Sequence, residues 1–209
     1  MTENELRNMV AGAAESYAAS GEVYEWSPLL KRLIEKYNAY PDIGRGIQYK
    51  PTLGGWCALF ASVLFIEQGM ADLIIPEIGA YEMEANAKKA GIFRSRESGY
   101  IPKRGDLIHY AFPRMDESGK YFTQYHIGVV TNADANVVYT TEGNVTSRVV
   151  MKEQHYYKDV EMITGFSAVP YESKVIIPPE LPPLPKETGL YIPLAMVDAG
   201  KGEIIWQRK

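Results

Sequence analysis

Four residue types that together can break an amide bond occur in order along the 209-residue chain: a cysteine at 57, a histidine at 126, a glutamate at 142 and an asparagine at 144. A thiolate attacks the carbonyl, an imidazole carries the proton, and a carboxylate or amide orients the imidazole. Cys57 is the only cysteine in the chain. On its own, such a residue is more often a small buried hydrophobe than a nucleophile. Its setting singles it out. Cys57 opens an almost wholly apolar run, 57–66, that follows Trp56 and the pair Gly54-Gly55 and ends at Gln68-Gly69. This pattern predicts a helix that starts at the cysteine, closes on a glycine and, being apolar on every side, is buried. In the first turn of such a helix, unpaired amides and the macrodipole favour a thiolate over a thiol.

The chain has three histidines. In Tyr125-His126-Ile127-Gly128-Val129-Val130, strand alternation puts His126 on one face with Gly128 and Val130, and the glycine is expected to leave room for a substrate. His109 and His155 lack such a neighbour and are expected to be structural. A hairpin through 132–136 centred on Asp134 would place His126 and Glu142 directly opposite each other, each eight residues from the centre. Opposed Cβ atoms lie about 5 Å apart, close enough for a carboxylate to reach an imidazole. Asn144, two residues on, falls on the same face. By itself Glu142-Gly143-Asn144 also reads as a hairpin end, while a glycine between two polar residues suits close approach of a substrate or another backbone.

These residues need rigid elements to hold them. Apolar spacings predict helices over 3–19, from Ser27-Pro28 as cap and first position, over 57–66, and over 81–90 closed by Gly91. From 102 onward the period becomes that of strands, expected over 106–112, 125–132, 137–145, 148–154 and 162–169. Helices first and an antiparallel sheet second predict an α+β domain over 1–171. A proline-rich linker over 172–188 then leads to a short hairpin-like tail over 189–209.

Composition narrows the function classes. A net charge of −4 gives no footprint for nucleic acid, and one cysteine allows neither an intrachain disulfide nor a Cys-rich metal site. No apolar run is long enough to span a bilayer, and the first residues do not resemble a signal peptide. The expectation is a protein that stays in the cytoplasm until released, or is carried by a phage particle, and needs no membrane partner.

The ordered landmarks Trp56-Cys57, Pro102-Lys103-Arg104-Gly105-Asp106, Tyr125-His126-Ile127-Gly128-Val129-Val130 and Thr141-Glu142-Gly143-Asn144 resemble those of CHAP domains. These are the cysteine, histidine-dependent amidohydrolases and peptidases related to the papain-like NlpC/P60 group. The resemblance covers roughly 24–171. It implies a papain-like α+β fold with N-terminal helices, a buried helix that starts at the nucleophilic cysteine, and a following antiparallel sheet. It also implies Cys57 as nucleophile, His126 as general base, Glu142 as the residue orienting it and Asn144 as a fourth polar member. The implied substrate is bacterial peptidoglycan, cut as an N-acetylmuramoyl-L-alanine amidase or as a stem-peptide or cross-bridge endopeptidase, with a phage lysin as one form. The chain departs from many relatives in the mixed charge of its segment 113–121. It also lacks the closely spaced aspartates of calcium-binding members, so neither a metal nor a cofactor is expected.

Oxyanion stabilisation is expected from the backbone N–H of Cys57, with Tyr49 or Gln48 as side-chain candidates for a second donor. Substrate is expected between the cysteine helix and the sheet, flanked by 72–104 and 113–124. Two other readings stay open: a papain-like amidase acting on a small amide or isopeptide, and a non-catalytic binding or structural module.

Overall fold

The computed structural model describes residues 1–145, 150–156 and 161–175. Helix α1, Glu3–Ser20, starts at a capping box in which the Thr2 hydroxyl accepts from the Glu5 amide and the Glu5 carboxylate accepts from the Thr2 amide. Helix α2, Pro28–Ala39, has the expected cap: the Ser27 hydroxyl accepts from Leu30 N–H at 3.0 Å. Helix α3, Cys57–Glu67, buries Cys57 to Phe65 without a break, as an all-round apolar segment must. Helix α4 is Ala80–Lys89.

The strands are β1 Phe93–Ser95, β2 Leu107–Met115, β3 Tyr121–Ala133, β4 Val137–Glu142, β5 Met151–Tyr156 and β6 Ile163–Ser167. They form one six-stranded sheet in the order β1-β6-β2-β3-β4-β5, with every pairing antiparallel. The fold class is therefore α+β. Strand β1 was not expected, because three residues are too few to show an alternation. Strands β2 and β3 extend further than expected and pair out to Met115 and Tyr121. Residues 113–124 are thus mostly a two-stranded arm, not a loop. Its tight end is held by Asp116, whose Oδ1 accepts from the amides of Ser118 and Lys120.

The sheet has apolar residues on both faces. One face carries Leu107, Ile127 and Val129, which join the main core with Leu6, Val10, Leu33, Leu59, Val63 and Leu64 of the helices. The other carries Ile108, Tyr110, Val130, Val138, Ile163 and Phe166. Strands β2 and β5 are three places apart, which in a flat sheet means about 14 Å. Yet the rings of Tyr110 and His155 approach to 5.3 Å between centroids. The sheet therefore curls, and its concave face gathers side chains from four strands.

An ion pair locks α1 to the sheet. Arg7 donates to Asp106 at 2.9 Å and to the carbonyls of Arg104 and Val169, while Asp106 also accepts from Tyr100 and from the amides of Lys103 and Val169. Asp106 in the second sequence landmark is thus an anchor.

The described residues belong to a compact unit, Met1–Ile176. Residues Tyr171–Lys174, placed in the linker from 172 on, form a 3-10 turn, and the Tyr171 hydroxyl donates to Gly105 O at 2.8 Å. The rest of the proline-rich stretch and the expected 189–209 hairpin lie outside the described residues. No helix among the described residues is long and apolar enough to cross a membrane.

Candidate active site

The helix start supplies the sulfur. Trp56, the residue before α3, makes no side-chain capping hydrogen bond, so the first-turn amides keep the free N–H groups that helix geometry leaves there. The chain enters this turn through Gly54-Gly55, braced from α2. Asn38 accepts from Tyr49 N–H at 2.8 Å and donates to Tyr49 O at 3.1 Å, and the Tyr49 hydroxyl donates to Gly54 O at 2.6 Å. Both side-chain oxyanion candidates have hydrogen-bond partners of their own here. The single proton of Tyr49 is committed to Gly54 O, and the Gln48 amide turns outward to Asn38 O. The Tyr49 hydroxyl thereby braces the loop that leads into Cys57.

Strand β3 supplies the imidazole and β4 the carboxylate, though not in the expected register. The Asp134 side chain accepts from the amides of Asn136 and Val137, so this residue opens the turn and is not its apex. A bulge between Val130 and Asn132 takes back one residue of that shift, and Glu142 pairs with Gly128 in place of His126. His126 and Glu142 are diagonal neighbours on one face. They still meet, because Gly128 leaves an opening that the Glu142 side chain fills. A Cβ at 128 would stand 2.5 Å from Glu142 Cγ. The space expected to admit substrate instead admits the carboxylate, whose Oε2 lies 2.8 Å from His126 Nε2. With Nε2 so engaged, Nδ1 is the ring nitrogen left for Cys57.

Gly143 allows the end of β4 to reach the helix. A Cβ there would meet Phe60 and Trp56 at 2.8–2.9 Å, so only glycine permits this approach. Asn144 follows in the left-handed region at φ 59°. Its Nδ2 packs against Gly55, on the cysteine side of the site.

Electrostatics tie the three groups together. Burial disfavours charge on His126, but hydrogen bonding to Cys57 and Glu142 and the negative charges of both outweigh it, raising its pKa to about 10. Burial would push the Glu142 carboxyl up, but its hydrogen bonds with His126 and His155, the His126 charge and the Thr140 hydroxyl hold it well below the usual range. Glu142 is 3% exposed and ionised. Its Oε1 is surrounded: Tyr110 and Thr140 hydroxyls donate at 2.6 Å each, and His155 Nε2 lies at 3.2 Å.

The structure therefore brings together Cys57, His126 and Glu142, places Asn144 at the edge, and leaves the Gln48 and Tyr49 side chains engaged elsewhere. His109 is the structural residue expected, buried with Nε2 2.7 Å from Ser167 Oγ. His155, also expected to be structural, touches the carboxylate of the site. Tyr110 and Thr140 had also not been singled out. Tyr110 pairs with His126 across β2 and β3, so register counting could have found it; His155 comes close only through the curl of the sheet.

Between α2 and 49–56 lies a cavity of about 410 Å³ lined by Trp26, Leu30, Ile34, Tyr49, Pro51 and Trp56, among others. Trp26 is 73% exposed and has φ 68°, a strained backbone for a bulky residue. The expected groove flanked by 72–104 and 113–124 is a different location. The chain matches no family model, no curated protein and no solved structure.

Proposed function

We propose that the chain is a cysteine-dependent amidohydrolase with a papain-like, NlpC/P60-type fold that cleaves amide bonds in bacterial peptidoglycan. The observation that carries the chemistry is the convergence of a helix-start thiol, an imidazole and a buried ionised carboxylate from α3, β3 and β4, with Glu142 Oε2 2.8 Å from His126 Nε2. The substrate class rests on the ordered landmarks that resemble CHAP domains.

In this reading the Cys57 thiolate attacks the scissile carbonyl carbon, and the developing oxyanion meets the backbone N–H of Cys57. The His126 imidazolium gives its proton to the leaving amine, whose C–N bond breaks to leave a thioester on Cys57. Neutral His126 then takes a proton from water, and the hydroxide displaces the thiolate to release a carboxylic acid. Glu142 keeps the ring oriented and compensates its charge throughout. The cavity lined by Trp26 and by Trp56, the residue before the nucleophile, takes the part of the substrate flanking the cleaved bond.

Purified bacterial walls provide the test. The wild-type chain should release soluble fragments whose new amino and carboxyl ends, identified by mass spectrometry, name the bond cut. Cleavage of small amides with intact walls left untouched would move the assignment to a small-molecule amidase, and no cleavage of either would leave a binding module.

A further inference from the structure

We propose that Tyr110 and His155 are positioning residues for the candidate site: they grip one oxygen of Glu142 so that the other stays aimed at His126. This rests on the reading of Cys57, His126 and Glu142 as one catalytic unit.

The carboxylate makes a division of labour visible. Oε2 serves His126 alone among the hydrogen bonds described, while Oε1 takes Tyr110 from β2, Thr140 from its own strand and His155 from β5. A buried carboxylate without donors would take up a proton, and a neutral Glu142 could not support a charged imidazole. Each grip is chemically fixed. An ionised carboxylate only accepts, so His155 must carry its proton on Nε2. The Tyr110 hydroxyl titrates well above its usual 10, through burial first and then the Glu142 charge, so it remains a donor at any working pH. The Tyr110 ring also lies 5.7 Å from that of His126 and 5.3 Å from that of His155. The charged or titratable groups facing this cluster are His126 on β3, Tyr110 on β2, His155 and Glu153 on β5, and Cys57 on α3 acting through His126.

Tyr110→Phe removes a hydroxyl and keeps the ring, His155→Phe removes the donor, and His155→Gln restores an N–H. The direct readout is the NMR titration of the His126 ring in the full chain, alongside kcat and KM for wall hydrolysis. Weakening the grip on Oε1 lets the carboxylate turn, carries Oε2 off Nε2 and so lowers the His126 midpoint. Tyr110→Phe and His155→Phe should each bring the His126 midpoint down from about 10 by around one unit, with kcat about tenfold lower and KM little changed. His155→Gln should recover most of both. An unchanged His126 midpoint in Tyr110→Phe, with or without lost activity, would assign these residues to packing and overturn the proposal. Because the titration needs no substrate, a shifted midpoint in a chain that hydrolyses nothing would uphold the positioning role and reject the hydrolase reading. Should His155→Phe not fold, Tyr110→Phe and His155→Gln decide the matter alone.

Discussion

At the scale of residues, the site depends on a side chain that is missing. Gly128 is the position on which Glu142 leans, and the 2.5 Å that would separate its carbon from a Cβ at 128 cannot be accommodated without moving one of them. Gly128→Ala should therefore swing the carboxylate off His126. Its φ is not in the left-handed region, so the backbone tolerates alanine and the cost falls on contacts. The expected outcome is a loss of at least about tenfold in kcat with the fold retained, as seen by circular dichroism and wall hydrolysis. Wild-type activity in this variant would mean that Glu142 does not orient the imidazole. The types and order of Cys57, His126 and Glu142 were legible in the sequence, because few other arrangements of a single cysteine and a strand histidine do chemistry. The register was not. One Asx turn and one bulge displaced it by two residues, and the even offset preserved the face even though the direct pairing was wrong.

At the scale of elements, the site is held by what docks α1 and α3 on the sheet. Arg7 and Asp106 are a buried pair in which each charge has several partners. Burial raises the Asp106 pKa against the pull of Tyr100, Lys103 and Arg7, a sign of how costly the carboxylate would be alone. Arg7→Met removes the cation and leaves that carboxylate buried, with an expected loss of about 3 kcal/mol or more in denaturant unfolding. A loss under about 1 kcal/mol would show that the pair is no anchor. Helices were readable because caps and glycines mark their ends, as at Ser27 and Gly21. The arm of β2 and β3 was not, since Pro113 and the charged residues after it imitate a loop while the backbone continues to pair.

At the scale of the whole molecule, two histidines give the stability curve opposite slopes. His109 is fully buried, and burial lowers its pKa from 6.5 to about 4. The unfolded chain binds that proton more readily, so stability present above 6.5 is lost as the pH falls towards 4, by on the order of 3 kcal/mol. His126 has the opposite sign: its contribution is full below 6.5 and is lost as the pH rises to about 10. His109→Gln, which keeps a partner for Ser167, should flatten the acid side of the melting-temperature profile between pH 6.5 and 4; an unaltered slope would refute the assignment. The curl of the sheet also belongs to this scale, and no local pattern announces it, so the contact between His155 and the Glu142 carboxylate is not legible in the sequence. The most direct test of the central claim compares wall hydrolysis by Cys57→Ala, His126→Ala and the double variant. If thiol and imidazole act as one unit, each single variant loses at least about a thousandfold in kcat and the double variant loses no more than either. Activity within a few-fold of wild type in either single variant, or losses that multiply in the double, would contradict the account.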